Sequence, residues 1–250
     1  MFSFKKCRFL SGNALKIIAA ITMLIDHIGV ILYPNSLALR AVGRLAFPIF
    51  AFFIAEGCRY TKNKTKYFCL LSTLAVLCQV VARIAVPSND LMSILLTFTG
   101  SVALIYALQF AKKSTFEKAK WYQTTLAWLL FFGSVAGAYF LTETVQFDYG
   151  FWGMLTPVFA SLFDFKRDPA PAFLQKLDKL PLRILCTAIP LFMLGLMGER
   201  FGLPQWYSFF SLVLLLLYSG ERGKWKMKYF FYIFYPAHLV VLYGISIFFF

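Results

Sequence analysis

Nine apolar stretches, separated by connections alternately rich and poor in lysine and arginine, decide what this 250-residue chain can become. They lie near 15–33, 44–58, 67–86, 91–111, 122–141, 149–163, 182–198, 203–219 and 229–249. A helix needs about 20 residues to cross a hydrocarbon core about 30 Å thick, so these are candidate membrane spans. Four of them (44–58, 149–163, 182–198, 203–219) are short or interrupted by Pro48, Pro157, Pro190 or Pro204. Such segments read as tilted, broken or partly re-entrant, which a membrane protein tolerates where they line a protein-walled cavity. The expected fold is an all-α, polytopic membrane helix bundle of about nine transmembrane helices. The longest polar connection, 164–181, is too small to fold alone, so a single transmembrane domain over 1–250 is expected.

The basic clusters are Lys5, Lys6, Arg8 and Lys16; Arg59, Lys62, Lys64 and Lys66; Lys112, Lys113, Lys118 and Lys120; Lys166, Arg167, Lys176, Lys179 and Arg183; and Arg222, Lys224, Lys226 and Lys228. Together they hold 21 of the 25 lysines and arginines, leaving Arg40, Arg44, Arg83 and Arg200 to the intervening connections. Under the positive-inside rule every second loop, and the amino terminus, then faces the cytosol. Removing one span would reverse every later loop, which favours nine. The net charge of +14 is thereby read as topology, and no nucleic-acid partner is expected. With 60% hydrophobic and 14% charged residues, a soluble domain is excluded. The lysines before the first apolar run resemble a secretion signal, but that run lacks a small-residue cleavage pattern and carries Asp26-His27, so a retained first span is expected. Five cysteines without C-x-x-C spacing signal neither a disulfide framework nor a zinc site, and no metal is expected.

Ionisable groups within an apolar span are expensive, so Asp26 and His27 are functional candidates by default. A rise of about 1.5 Å per residue places His27 about 16 Å beyond Lys16, near mid-membrane, with Lys16 at the cytosolic boundary. The last span starts from the Lys228 side and brings His238 to about 15 Å by the same arithmetic. The two histidines of the chain are thus expected at one level. The second span runs the opposite way, which puts Glu56 close to the cytosolic edge and Arg44 in the outer half. Helix neighbours point about 100° apart, so Asp26 is expected to pair with a cation from another span, Arg44 or Arg83, and not with His27.

Each candidate has a plainer reading. Glu56 and Arg59, at i and i+3, also suit an ion pair at a helix end. His238, flanked by Tyr235 and Tyr243, also suits a core histidine bonded to a backbone or hydroxyl group. Asp26 also suits a purely structural role, holding helices together through an arginine.

The stretch Leu15 to Gly29, GRLAFPIFAFFIAEG from Gly43 to Gly57, and FYIFYPAHLVVL from Phe231 to Leu242 resemble the TraX family. That family is named for a conjugation-associated inner-membrane protein that acetylates the amino terminus of pilin. More remotely, Lys16-x10-His27 is similar to the R-x10-H motif of the acyltransferase-3 family, and FPIFAFFIAEG to its FF-x-x-SG segment. Lysosomal heparan-α-glucosaminide acetyltransferase belongs to the same wider comparison. This chain departs by carrying Lys16 for the arginine and Ala55-Glu56 at the later motif.

The resemblance implies a multi-pass acetyltransferase of the bacterial cytoplasmic (inner) membrane, with acetyl-CoA as co-substrate on the cytosolic face. The acceptor, an amine or hydroxyl of a peptide, sugar or lipid, would be presented from the outer side, with membrane lipid all around. His27 would be the base, assisted or oriented by His238, Tyr235 and Asp26. Lys16, Glu56, Arg59 and Lys62 would stand on the donor side, and Arg44 and Arg83 on the structural and acceptor side. Direct transfer and a transient acetyl-histidine both remain open. Two other classes compete: a proton-coupled carrier using the Asp-His pair, and a non-catalytic component of a secretion or conjugation machine. No pair of repeated halves, which many carriers show, is visible in the sequence.

Overall fold

Ser11 starts the first helix. Its side chain accepts a hydrogen bond from the Ala14 N–H at 3.2 Å, satisfying one of the donors that a helix start leaves open. In the computed structural model, residues 8–85, 93–117, 119–166, 170–200, 205–225 and 227–249 are described. Lys5, Lys6, Cys7, Lys118, Arg167, Pro204 and Lys226 lie outside them, as do the first residues of the 91–111 and 203–219 stretches.

The order of helices is α1 (Gly12–Ile31), α2 (Leu37–Gly43), α3 (Ala46–Tyr60), α4 (Lys64–Ala85), α5 (Ile94–Phe116), α6 (Trp121–Thr144), α7 (Gly150–Ala160), α8 (Ala172–Gln175), α9 (Leu180–Arg200), α10 (Phe210–Leu216, entered through a 3-10 turn over Gln205–Phe209) and α11 (Lys228–Phe249). Among the described residues there is no strand, only an isolated bridge between Leu10 and Tyr218. Among the described residues seven helical segments are long and apolar enough to cross a membrane: Gly12–Ile31, Leu37–Tyr60, Lys64–Ile84, Ile94–Phe116, Trp121–Thr144, Leu180–Gly198 and Phe230–Ile247. The chain is an all-α, multi-pass membrane protein. The expected stretches 149–163 and 203–219 contain the shorter apolar helices Gly150–Ala160 and Gln205–Leu216.

Two expectations change in detail. The stretch taken as 44–58 begins at Leu37, because Arg40 and Arg44, read as part of a connection, ride on the helical run Leu37–Tyr60. An arginine is admissible there when an acidic partner meets it, and Asp26 does. The 182–198 stretch is not cut short by Pro190, which lies inside the 21-residue α9.

The helices fall into two compact units, the first comprising Met1–Phe53, Leu77–Asn89 and Leu191–Phe250, the second Ile54–Val76 and Asp90–Pro190. In the first, Leu15, Ala19, Ile49, Phe52, Leu191 and Leu215 are fully buried. The start of α1 is stitched to the segment that leads into α11. The Gly12 and Asn13 N–H groups donate to the Glu221 and Arg222 carbonyls at 2.7 and 2.9 Å, and Asn13 Nδ2 donates to the Trp225 carbonyl at 2.6 Å. Those carbonyls satisfy first-turn donors that would otherwise lack partners. Helices α1 and α2 approach closely because Gly43 has no side chain. A Cβ there would stand 2.2 Å from Asp26 Cβ, so only glycine fits.

In the second unit the core is built around Ala55, Cys58, Ala75, Val102, Ile105 and Ala160. Ser101 on α5 donates to the Met154 carbonyl of α7 at 2.7 Å. The carbonyls at the end of α7 would be costly to bury without donors. Lys112 Nζ meets those of Ser161, Leu162 and Asp164 at 2.9, 2.7 and 3.2 Å, and Arg183 Nε meets that of Ala160 at 2.9 Å. Cations at a helix carboxyl end also suit its dipole. Replacing Lys112 by Met, similar in length but without donors, is expected to cost about 3 kcal/mol of stability. A drop in thermal unfolding temperature in detergent, against an exposed Lys113→Met control, checks it.

Candidate functional site

Helices α1 and α11 each bring one histidine to a shared position in the first unit. The His27 Nδ1 and His238 Nε2 atoms lie 3.0 Å apart, with ring centroids separated by 4.9 Å and planes tilted by 48°. The 3.0 Å contact puts the two imidazoles at one height, although α1 starts fifteen positions before its histidine and α11 ten before its own. The sequence-based expectation of one level holds, and the contact is direct.

His238 is buried, and its Nδ1 lies 2.8 Å from the Phe234 carbonyl one turn earlier. The Phe234 ring stacks on its face at 5.1 Å and 14°, while Tyr235 meets it edge-on at 5.6 Å. The backbone bond anticipated by the plainer reading is present, and so is the contact with His27. Tyr235 therefore belongs to the walls of the histidine pair.

Asp26 points elsewhere, as its position on the helix required. Arg40 Nη1 reaches its Oδ2 at 2.7 Å and Arg44 Nη2 its Oδ1 at 3.3 Å. Arg44 is the cation expected from the sequence. Arg40 is an addition, and Arg83 is not among the ion-pair partners of Asp26 in the described residues. Arg44 has a side chain only 5% exposed, so the carboxylate that faces it offsets a large desolvation cost. Lys16 lies with its ammonium 4.8 Å from the Phe53 ring centroid.

The other candidates lie in the second unit. Among the described residues the ion pairs of Glu56 and Arg59 reach other segments. Glu56 Oε1 accepts from Arg183 Nη1 at 2.6 Å, both side chains being under 10% exposed. Arg59 Nη1 is held by Asp164 Oδ1 at 2.5 Å and Asp178 Oδ1 at 2.7 Å. Glu56 and Arg183 are desolvated together, and each offsets the cost of burying the other. Asp178 also accepts from the Phe165 N–H at 3.2 Å, so Arg59 gathers the 164–178 segment. Lys62 is exposed just beyond α3.

Sequence reasoning missed Arg40, Asp164, Asp178 and Arg183 as members of these networks. Arg183 was absorbed into a basic cluster read as topology, and the two aspartates into a polar connection. Their partners lie over a hundred positions away, which no local spacing reveals. Among the described residues no group of three or more His, Cys, Asp or Glu side chains could hold a metal ion.

The fold and the buried polar pair define a class: a polytopic helical membrane protein with a paired imidazole inside its helices. Comparison with known proteins specifies it, because TraX protein matches residues 11–246, and the chain belongs to the TraX family. It is 28% identical over 246 residues to the "Probable fimbrial assembly protein FimC, serogroup H1" of Dichelobacter nodosus, covering 93% of this chain and 94% of that one. A shorter similarity, 38% identical over 84 residues, covers 34% of this chain and 34% of an uncharacterized protein of Rickettsia prowazekii (strain Madrid E). No solved structure matches.

Removing Asp26 leaves two arginines facing each other without their carboxylate. Asp26→Ala is expected to cost about 3 kcal/mol, the usual penalty for breaking a buried pair from one side. Thermal unfolding in detergent checks it, and Asp26→Glu should recover part of the loss.

Proposed function

We propose that this protein is an acyltransferase of the bacterial inner membrane, moving an acetyl group from cytosolic acetyl-CoA to an acceptor presented from the outer side. The single observation that supports this most is the His27–His238 contact of 3.0 Å inside apolar helices. An imidazole is the side chain whose ordinary pKa suits proton removal near neutrality, and a buried pair of them within apolar helices is costly to keep without a use.

In this reading the acceptor nitrogen or oxygen attacks the thioester carbonyl while His27 takes its proton. The carbon–nitrogen or carbon–oxygen bond forms and the carbon–sulfur bond breaks. The proton then passes to the departing CoA sulfur. Asp26, held by Arg40 and Arg44, keeps α1 and α2 in place and takes no proton. Amine acceptors are the first choice, because the family precedent is a pilin amino terminus and a relative in Dichelobacter nodosus carries a fimbrial assembly name.

Donor phosphates require cations that can turn toward a ligand. Arg59 suits this poorly, because two aspartates already hold its guanidinium, and Glu56 is committed to Arg183. The exposed Lys62 and Lys66 suit it better. The donor-side assignment thus moves from the guanidinium of Arg59 to the lysines.

Purified protein in detergent, given labelled acetyl-CoA and a peptide with an open amino terminus, should release CoA and acetylate the peptide. His27→Ala is expected to lower that rate at least about 100-fold while leaving acetyl-CoA binding intact. Native-rate transfer by a folded His27→Ala protein would remove the base assignment. Failure of the native protein to bind acetyl-CoA would overturn the acyltransferase reading.

A further inference from the structure

The hydrogen bonds around the histidine pair have a direction. A backbone carbonyl only accepts, so the nitrogen of His238 that lies 2.8 Å from the Phe234 oxygen must carry hydrogen, and that nitrogen is Nδ1. A neutral His238 then has a bare Nε2, which is an acceptor. Its partner 3.0 Å away is His27 Nδ1, which must therefore supply the hydrogen of that bond.

We infer that His238 is a positioning residue: as a neutral imidazole anchored on the Phe234 carbonyl, it accepts the Nδ1–H of His27 and thereby holds the His27 lone pair on Nε2. The reacting atom of the site is His27 Nε2, and the proton order runs from His27 to His238 to the backbone. In the Ser-His-Asp arrangement a carboxylate does this work by fixing the tautomer and orientation of the base. Asp26 is not available for it, since both its oxygens face arginines. Within apolar helices a second neutral ring achieves the orientation without burying a further ion. The stacked Phe234 ring and the edge of Tyr235 keep the His238 plane from turning.

The kinetic part of this inference rests on the acyltransferase reading, but the tautomer does not. The chain has two histidines, so protein labelled with 15N-histidine shows two ring systems, separable by their shifts in a His238→Gln variant. At a pH where both rings are neutral, His27 is expected as the Nδ1–H tautomer, the reverse of the form that histidine prefers in water. In His238→Leu the acceptor is gone, and His27 should shift toward Nε2–H, with kcat for acetyl transfer down about 100-fold and the KM for acetyl-CoA unchanged. His238→Gln keeps an acceptor oxygen at similar reach and should restore much of both. An Nε2–H tautomer of His27 in the native protein overturns the inference whatever the variants do, and so does an unchanged His27 spectrum in a folded His238→Leu protein. The expected tautomers without any acetyl transfer would uphold the positioning geometry and sink the acyltransferase reading alone.

Discussion

Asp26 held between Arg40 and Arg44 is the interaction on which the first unit depends. Charged side chains within apolar helices survive only when opposed charges share the desolvation cost and hydrogen bonds use up their remaining atoms. The bare backbone of Gly43 makes the approach possible, since any side chain there would occupy the place of Asp26. One consequence is chemical as well as mechanical. The carboxylate beside His27 in sequence is turned to the arginines, and His27 is left to a second imidazole.

The second unit solves a similar problem with the opposite sign. Helix α7 has only 11 residues and contains Pro157, so it ends where backbone carbonyls need donors. Lys112 and Arg183 deliver them from helices that are distant in sequence, and Glu56 offsets the Arg183 charge. Arg59 does for the 164–178 segment what Asp26 does for α2: one charge collects two opposite ones. These clusters hold irregular backbone in place where a soluble protein would use water.

The fold class was legible because apolar length and charge alternation are properties of local sequence, and seven long apolar helices agree with it. The level of His27 and His238 was legible for the same reason, as helical rise turns residue counts into depth. Arg44 as a partner of Asp26 followed from helix geometry, whereas Arg40 escaped because it was assigned to a connection. Glu56 with Arg183, and Arg59 with two aspartates, are decided by which side chains meet when distant segments pack. No spacing within α3 carries that information.

The seam between the start of α1 and the segment before α11 is made mostly of main-chain atoms. Side-chain changes at Glu221 or Arg222 therefore leave it in place, whereas changes in chain length beyond it displace His238. Deleting a single residue between Met227 and His238 would lower the second imidazole by about 1.5 Å and swing it about 100° around its axis, away from its mate. The stretch from Met227 to His238 is thus a ruler: its residue count sets the place of the second imidazole, while Phe234 and Tyr235 set its plane.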